Sequence, residues 1–164
     1  ARGLHREGAL GAGHGPEAHK IAQASRDFLE KNKNEKLTNL MSDLHENLLG
    51  TRGGVAIIGK LDNETLQFHY VGIGNIFLRT FGNPSEQAVT QDGVIGYHIR
   101  TPEEKRMQIS GGDVLVMHTD GITNYFDVND YPEILNDDAK TIANNLVNRF
   151  GKINDDATCI VIRF

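Results

Sequence analysis

A single cysteine, Cys159, leaves this chain unable to close an intrachain disulfide, so nothing staples the scaffold and a reducing or indifferent compartment suits it. Its setting in a β-branched strand reads as a small buried hydrophobe. Positive charge is also scarce: 17 Lys and Arg stand against 22 Asp and Glu, a net charge of −5. With no cluster of Lys and Arg, the counterion-displacing surface that nucleic acid requires is excluded. No apolar run approaches a membrane span, and the first residues lack the charged-then-apolar layout of a secretion signal, so the default expectation is a cytoplasmic protein without a membrane partner. No serine or cysteine stands in a nucleophile elbow, which removes the obvious candidates for covalent catalysis. The seven histidines are scattered. His14 and His19 do not share a helical face, so a zinc pair is not expected, and only His14, inside a glycine loop, is a functional candidate.

What is present fits one soluble domain: 164 residues, 38% hydrophobic and 24% charged, are enough to bury a core. Residues 1–15 are glycine-rich without periodicity and read as a loop. Pro16 suits the first turn of a helix with Ala18, Ile21, Ala22, Ser25, Phe28 and Leu29 on one face. A second helix, from about Lys36 to Leu49, carries the stripe Leu37, Leu40, Met41, Leu44 and Leu48, with Gly50 at its C-terminal end. From Gly53 the period changes to that of strands: Val55–Ile58, a turn at Asp62–Thr65, then Leu66, Phe68 and Tyr70 alternating with polar residues, and Ile76–Phe81. A short strand is expected near Ala88, and Lys105–Ser110 is expected to pair with Asp113–Thr119 across Gly111 and Gly112. A third helix spans Asp138–Phe150, with Ala139, Ile142, Ala143, Leu146 and Val147 inward, and a central strand closes the chain from Ala157 to Phe164. The order reads as α+β, with helices covering a sheet or a pair of sheets.

The stretch Gly111–Ile122, GGDVLVMHTDGI, carries the chemistry. Val114–Met117 has the length and branching of a buried central strand and delivers Asp120 to its end. A carboxylate there needs a cation or several donors, so the aspartate marks either a metal site or a hydrogen-bonded turn. At the C-terminus Asp155 and Asp156 stand against a second β-branched strand. Two strands that each bring a carboxylate to one end form the arrangement a hard divalent cation uses, since Mg²⁺ and Mn²⁺ favour oxygen ligands. Gly11–Pro16, free of obstructing side chains, reads as backbone able to approach an anion or a metal. Two other motifs fail on inspection. Gly54–Lys60 has P-loop spacing, but Leu61 replaces the metal-binding hydroxyl and its interior is strand-forming. Asp127–Glu133 begins like a calcium loop, but Tyr131 and Pro132 stand where a ligand and the turn glycine belong.

Four segments, GAGHGPEA (Gly11–Ala18), RGGVAIIGKLDNETLQFHYVGIGN (Arg52–Asn75), GDVLVMHTDGI (Gly112–Ile122) and NDDATCIVIRF (Asn154–Phe164), together resemble the SpoIIE-type serine/threonine phosphatases of the metal-dependent (PPM) superfamily. The resemblance implies a PPM-type α/β-β/α sandwich of antiparallel sheets flanked by helices, and a site for two Mn²⁺ or Mg²⁺ ions at one end. By that resemblance Asp120 and Asp155 match metal-binding aspartates, Asp156 occupies a more variable position, and Gly11 matches the glycine whose carbonyl binds metal. The implied substrate is a phosphorylated protein of bacterial signalling, of the stressosome or STAS-domain type. The sequence departs from the family at Leu10, where the family has the aspartate that bridges the two ions, and Ala12 stands where eukaryotic relatives carry a general-acid histidine. Only nine residues precede Leu10, where the family has a pair of strands, so residues 1–164 read as one phosphatase domain lacking some N-terminal strand sequence. Leu10 also motivates an alternative, a catalytically inactive pseudophosphatase acting as a binding or scaffold module. A nucleotide-binding module using the glycine loop is the third reading.

Overall fold

The computed structural model of the protein describes residues 8–11 and 16–164. Two antiparallel sheets lie face to face between helices, giving four layers. The first sheet has the order β1 (Gly8–Gly11), β2 (Ala56–Asp62), β3 (Gln67–Ile73), β7 (Lys105–Gln108); the second has the order β4 (Ile76–Phe81), β8 (Val114–Thr119), β9 (Cys159–Arg163). A small hairpin of β5 (Gly93–Val94) and β6 (His98–Ile99) stands apart. Helices α1 (Pro16–Asn32) and α2 (Leu37–Asn47) cover the first sheet, and α3 (Ala139–Phe150) covers the second. No described helix is long and apolar enough to cross a membrane.

Strand alternation produces the layering, because successive side chains point to opposite faces. In β4, β8 and β9, Ile76, Leu78, Leu115, Met117, Ile160 and Ile162 meet Ile57, Phe68, Tyr70, Met107 and Ile109 between the sheets. The intervening Phe81, Val114, Val116, Cys159 and Val161 pack with Ile142 and Leu146 of α3. On the outer face of the first sheet, Ala56, Ile58, Val71 and Ile73 take up the whole α2 stripe, Leu37, Leu40, Met41, Leu44 and Leu48. That stripe is as expected, and so is the fully buried β8. Asp138 caps α3 by accepting from the Lys140 and Thr141 N–H groups, both at 3.0 Å. Lys60, at the end of β2, donates to the carbonyls of Lys33 (2.6 Å) and Glu35 (2.7 Å) and fixes the corner between α1 and α2.

Several sequence expectations give way here. Gly8–Gly11 is not loop but an edge strand, with Gly11 opposite Ala56; sheet pairing needs only main-chain groups, and this segment has no alternating side chains to announce it. Lys105–Gln108 pairs with β3 rather than with β8, because the turn through Gly112 (φ +90°) carries the chain from one sheet to the other. Asp113 holds that turn by accepting from the Ser110 N–H at 2.8 Å. The strand expected near Ala88 is reduced to isolated bridges at Gln87 and Gln91. Among the described residues the final strand is an edge, not a centre, and four of its five residues, Cys159 among them, are half-buried while Arg163 is exposed. Leu66 sits in the β2–β3 turn with φ +52° instead of opening β3, and Ala22 and Val147 face solvent. His14 and the rest of the glycine loop, residues 12–15, lie outside the described residues.

Candidate metal centre

Strand register gathers the predicted residues. β3 ends at Ile73, and the chain crosses to the second sheet through Gly74 and Asn75 before β4 begins at Ile76. Ile73 pairs with Ala56, and Ala56 with Gly11; Ile76 pairs with Thr119, the last residue of β8. A two-residue crossover cannot span the length of a strand, so both rows lie at the same end of the sandwich. Gly11 is therefore at the end from which Asp120 emerges. His118 pairs with Cys159, so the segment leading into β9, with Asp155 and Asp156, reaches that end too.

Main-chain contacts join the two acidic segments. The Thr119 N–H donates to the Thr158 carbonyl (3.0 Å), and the Thr158 N–H donates to the Thr119 hydroxyl (3.1 Å), which reaches the Asp156 carbonyl at 3.5 Å. Gly121 lies against the Asp156 main chain so closely that a Cβ would come within 2.2 Å of its carbonyl oxygen. Beyond it, the Lys152 N–H donates to the Gly121 carbonyl (2.8 Å), Ile122 bridges to Gly151, and the Thr123 N–H donates to the Phe150 carbonyl (2.9 Å). Asp120, Asp155 and Asp156 are all exposed. Asp120 is thus presented to solvent from a turn, not buried beside its strand.

Behind this end sits His118, buried and stacked on Phe77 at 5.1 Å, with Nδ1 2.9 Å from the Thr119 carbonyl. Burial lowers its pKa below the ordinary imidazole value, the bond to Thr119 opposes that shift, and the charge of Arg79 adds to it. Arg79 lies over the Phe81 ring at 4.8 Å and donates to the Phe126 carbonyl, tying the segment after Asp120 to β4. Farther along, the Tyr131 hydroxyl donates to Asp137 (2.6 Å) and accepts from Asn145 (2.8 Å), and Arg149 donates to the Asp130 carbonyl (2.7 Å). The suspected calcium loop is held by its own turn bonds, Asn129 N–H to Asp127 (2.6 Å) and Asp127 N–H to Asp130 (2.9 Å). The P-loop look-alike is a strand, β2. Thr119, Gly121 and His118 were not singled out from sequence, although Thr119 and Gly121 flank the aspartate that was.

Among the described residues, no three His, Cys, Asp or Glu side chains are close enough together to hold a metal ion. The sequence-expected donors that stand at this end are the Asp120 and Asp155 carboxylates and the main-chain oxygen of Gly11. These are hard oxygen donors, and they fit a hard divalent cation that completes its shell with water. A carboxylate shared between two cations is not supplied at position 10, which is leucine.

A family model described as Stage II sporulation protein E (SpoIIE) matches residues 11–164. The phosphoserine phosphatase RsbX of Bacillus subtilis (strain 168) is 26% identical over 117 residues, covering 70% of this chain and 58% of its own length. The chain thus spans little more than half of that relative. Among solved structures, a chain from work on the bacterial stressosome, described as a modular system adapted to control secondary messenger signaling, superposes with a TM-score of 0.82 at 25% identity, over 97% of this chain and 84% of that one. A crystal structure of RsbX in complex with magnesium gives a TM-score of 0.78 at 22% identity, over 94% and 78% of the two chains. The PP2C phosphatase domain of SpoIIE from Bacillus subtilis gives 0.68 at 18% identity, over 98% and 55%. The four layers described above are the PP2C-type phosphatase fold.

Proposed function

The chain belongs to the SpoIIE family, and from that membership we propose that residues 1–164 form one metal-dependent protein phosphatase domain acting on phosphoserine or phosphothreonine. The carrying observation is the convergence of Gly11, Asp120 and the Asp155 segment at one end of the sandwich. Asp120 and Asp155 hold Mn²⁺ or Mg²⁺ through their carboxylates, and Gly11 contributes its carbonyl oxygen. Bound there, such an ion supplies Lewis acidity toward the phosphoryl oxygens and a water nucleophilic at neutral pH. The protein's part is positioning: the bonds between Thr119 and Thr158 hold the two acidic segments in register, and the solvent-facing turn leaves room for a phosphorylated side chain. No phosphoenzyme is required. The RsbX relative and the stressosome neighbour support a phosphoprotein of stress signalling as substrate; following the sequence resemblance, we take it to be of the STAS-domain type and the setting to be cytoplasmic.

Leu10 supports a second reading, a pseudophosphatase that keeps the fold and binds a phosphorylated partner without turnover. Titration of Mn²⁺ against hydrolysis of a phosphoserine peptide separates the two. Saturable, metal-dependent turnover that Asp120→Asn abolishes supports the enzyme. Peptide binding without turnover at any Mn²⁺ or Mg²⁺ concentration rejects it and leaves the pseudophosphatase.

A further inference from the structure

Asn75 stands on the two-residue crossover between the sheets, at the end where Gly11, Asp120 and the Asp155 segment converge. The ladder between β4 and β8 runs from Phe81 opposite Val114 to Ile76 opposite Thr119, and the next step of the same antiparallel register sets Asn75 opposite Asp120. Residues that face each other across an antiparallel pair project to the same side. Asn75 and Asp120 are therefore neighbours on one face, and β9, with the Asp155 segment leading into it, lies on the other flank of β8.

The backbone beneath Asn75 is fixed on both sides. The Gly74 N–H donates to the Gln91 carbonyl (2.8 Å), and the Gly74 carbonyl accepts from the Thr90 hydroxyl (3.0 Å) and from the Ile76 N–H (2.9 Å), the last bond closing a three-residue turn centred on Asn75. A Cβ at Gly74 would lie 2.1 Å from Val55 Cγ1, and Ile76 is buried, so the crossover has little room to move.

Asparagine serves a turn by adopting a left-handed φ or by bonding its side chain to a nearby main-chain group. Neither duty is performed here. Gly74 supplies the positive φ of the crossover, at +90°, and among the described non-glycine residues only Leu66 has one. The Asn75 side chain is exposed and makes no hydrogen bond to a described residue. Two amide N–H donors on a rigid support beside Asp120 are thus left for a ligand. An amide donor attracts a phosphoryl oxygen and, being uncharged, does not repel a cation held by the aspartates.

We propose that Asn75 is a catalytic residue of the phosphatase reaction: its side-chain N–H donates to a non-bridging oxygen of the phosphoryl group and holds that group beside Asp120. This rests on the phosphatase reading of the adjoining site. The contact is to the phosphoryl group itself, so it acts alike on every phosphomonoester, whatever carries it.

The test uses the full chain with Mn²⁺, a phosphoserine peptide and para-nitrophenyl phosphate as substrates, and inorganic phosphate as inhibitor. Asn75→Ala should lower kcat/KM for both substrates by the same factor, about tenfold to a hundredfold, the range for a lost hydrogen bond to a charged group. Phosphate inhibition should weaken in parallel, while Tm and calorimetric Mn²⁺ affinity keep their wild-type values. Asn75→Asp, of the same shape without the donor, should be at least as impaired. Unchanged kinetics or phosphate inhibition in Asn75→Ala, a loss confined to the peptide, or a loss accompanied by weaker Mn²⁺ binding or a lower Tm overturns the proposal. So does an Asn75→Asp protein with wild-type activity, because the position then calls for an acceptor and not a donor. If the wild-type chain turns over neither substrate at any Mn²⁺ or Mg²⁺ concentration, the phosphatase reading fails, and calorimetric binding of inorganic phosphate with Mn²⁺ present decides Asn75. Binding that Asn75→Ala weakens tenfold or more upholds the phosphoryl contact, and absent or unaltered binding overturns it.

Discussion

Gly121→Ala tests whether the two acidic segments are locked by backbone contact. An added Cβ would lie 2.2 Å from the Asp156 carbonyl oxygen, 2.7 Å from its carbon and 3.0 Å from the Ala157 Cα. All three are main-chain atoms, so no side-chain rotation relieves the overlap. To restore an ordinary contact of 3.4 Å to that oxygen, the loop must retreat by 1.2 Å, the difference of the two distances. That movement works against the Thr119–Thr158 pair at 3.0 and 3.1 Å and the Lys152 bond at 2.8 Å. Overpacking of this kind costs about 1–3 kcal/mol. At about 2–4 °C per kcal/mol for a chain of this size, a mid-range cost of about 2 kcal/mol lowers Tm by roughly 4–8 °C. Thermal unfolding followed by circular dichroism measures it, with Gly111→Ala as the control, since nothing lies within 4 Å of a Cβ at Gly111. Calorimetric Mn²⁺ affinity should fall in the Gly121 variant alone. A Gly121→Ala protein that melts with the wild type would refute the idea that this contact holds the segments together.

Leu40→Ala removes a side chain buried between α2 and the first sheet, and urea unfolding should show a loss of about 2–5 kcal/mol. The Thr141 hydroxyl, at 2.6 Å, and then the Thr141 and Lys140 N–H groups hold the Asp138 carboxyl below the usual carboxylate range. Its contribution is therefore present above the unfolded value of about 4 and lost as pH falls through the folded one. Asp138→Ala should melt lower at neutral pH and show a flatter decline of Tm on acidification; an acid limb that is unchanged removes Asp138 as its cause. Leu10→Asp supplies a carboxylate at the position that the sequence resemblance assigns to a bridging ligand, and calorimetry should show tighter Mn²⁺ binding or a second equivalent bound.

Helices and the central strand were legible because their signals are local. The five-residue stripe of α2 and the unbroken apolar run of β8 each have one stable burial, and each found it. Register between distant segments has no such signal. Lys105–Gln108 looks like the first arm of a hairpin because it precedes two glycines, but which sheet Met107 joins depends on a core that also contains Phe68, Tyr70 and Leu115. Gly8–Gly11 is invisible for a related reason: its place comes from the unpaired edge of β2, not from its own side chains. Asp120 and Asp155 could be picked out as acidic residues at strand ends. Their sharing of one end is expected from the two strand-end carboxylates and the family resemblance, but the register that produces it, the two-residue crossover after Ile73 and the antiparallel pairing of β8 with β9, leaves no local signal.

Leu10 separates what the fold requires from what the proposed metal chemistry would require. The pairing of β1 with β2 is made by main-chain groups, with Leu10 opposite Ile57, and such a ladder forms with leucine as readily as with aspartate. Hydrophobic packing on both sides of the first sheet likewise makes no demand for a carboxylate at that position. Membership of the family can therefore persist while the second cation is lost. Metal binding is less tolerant: two like-charged ions at close range repel, and a shared anionic ligand is what offsets that repulsion. If Asp120, Asp155 and Gly11 are the donors, leucine at position 10 leaves them suited to a single ion. Mn²⁺ stoichiometry, compared between the wild-type chain and Leu10→Asp, thus decides whether chemistry has survived along with the architecture: one equivalent rising to two locates the deficit at position 10, and two equivalents already in the wild type would show that another group provides the bridge.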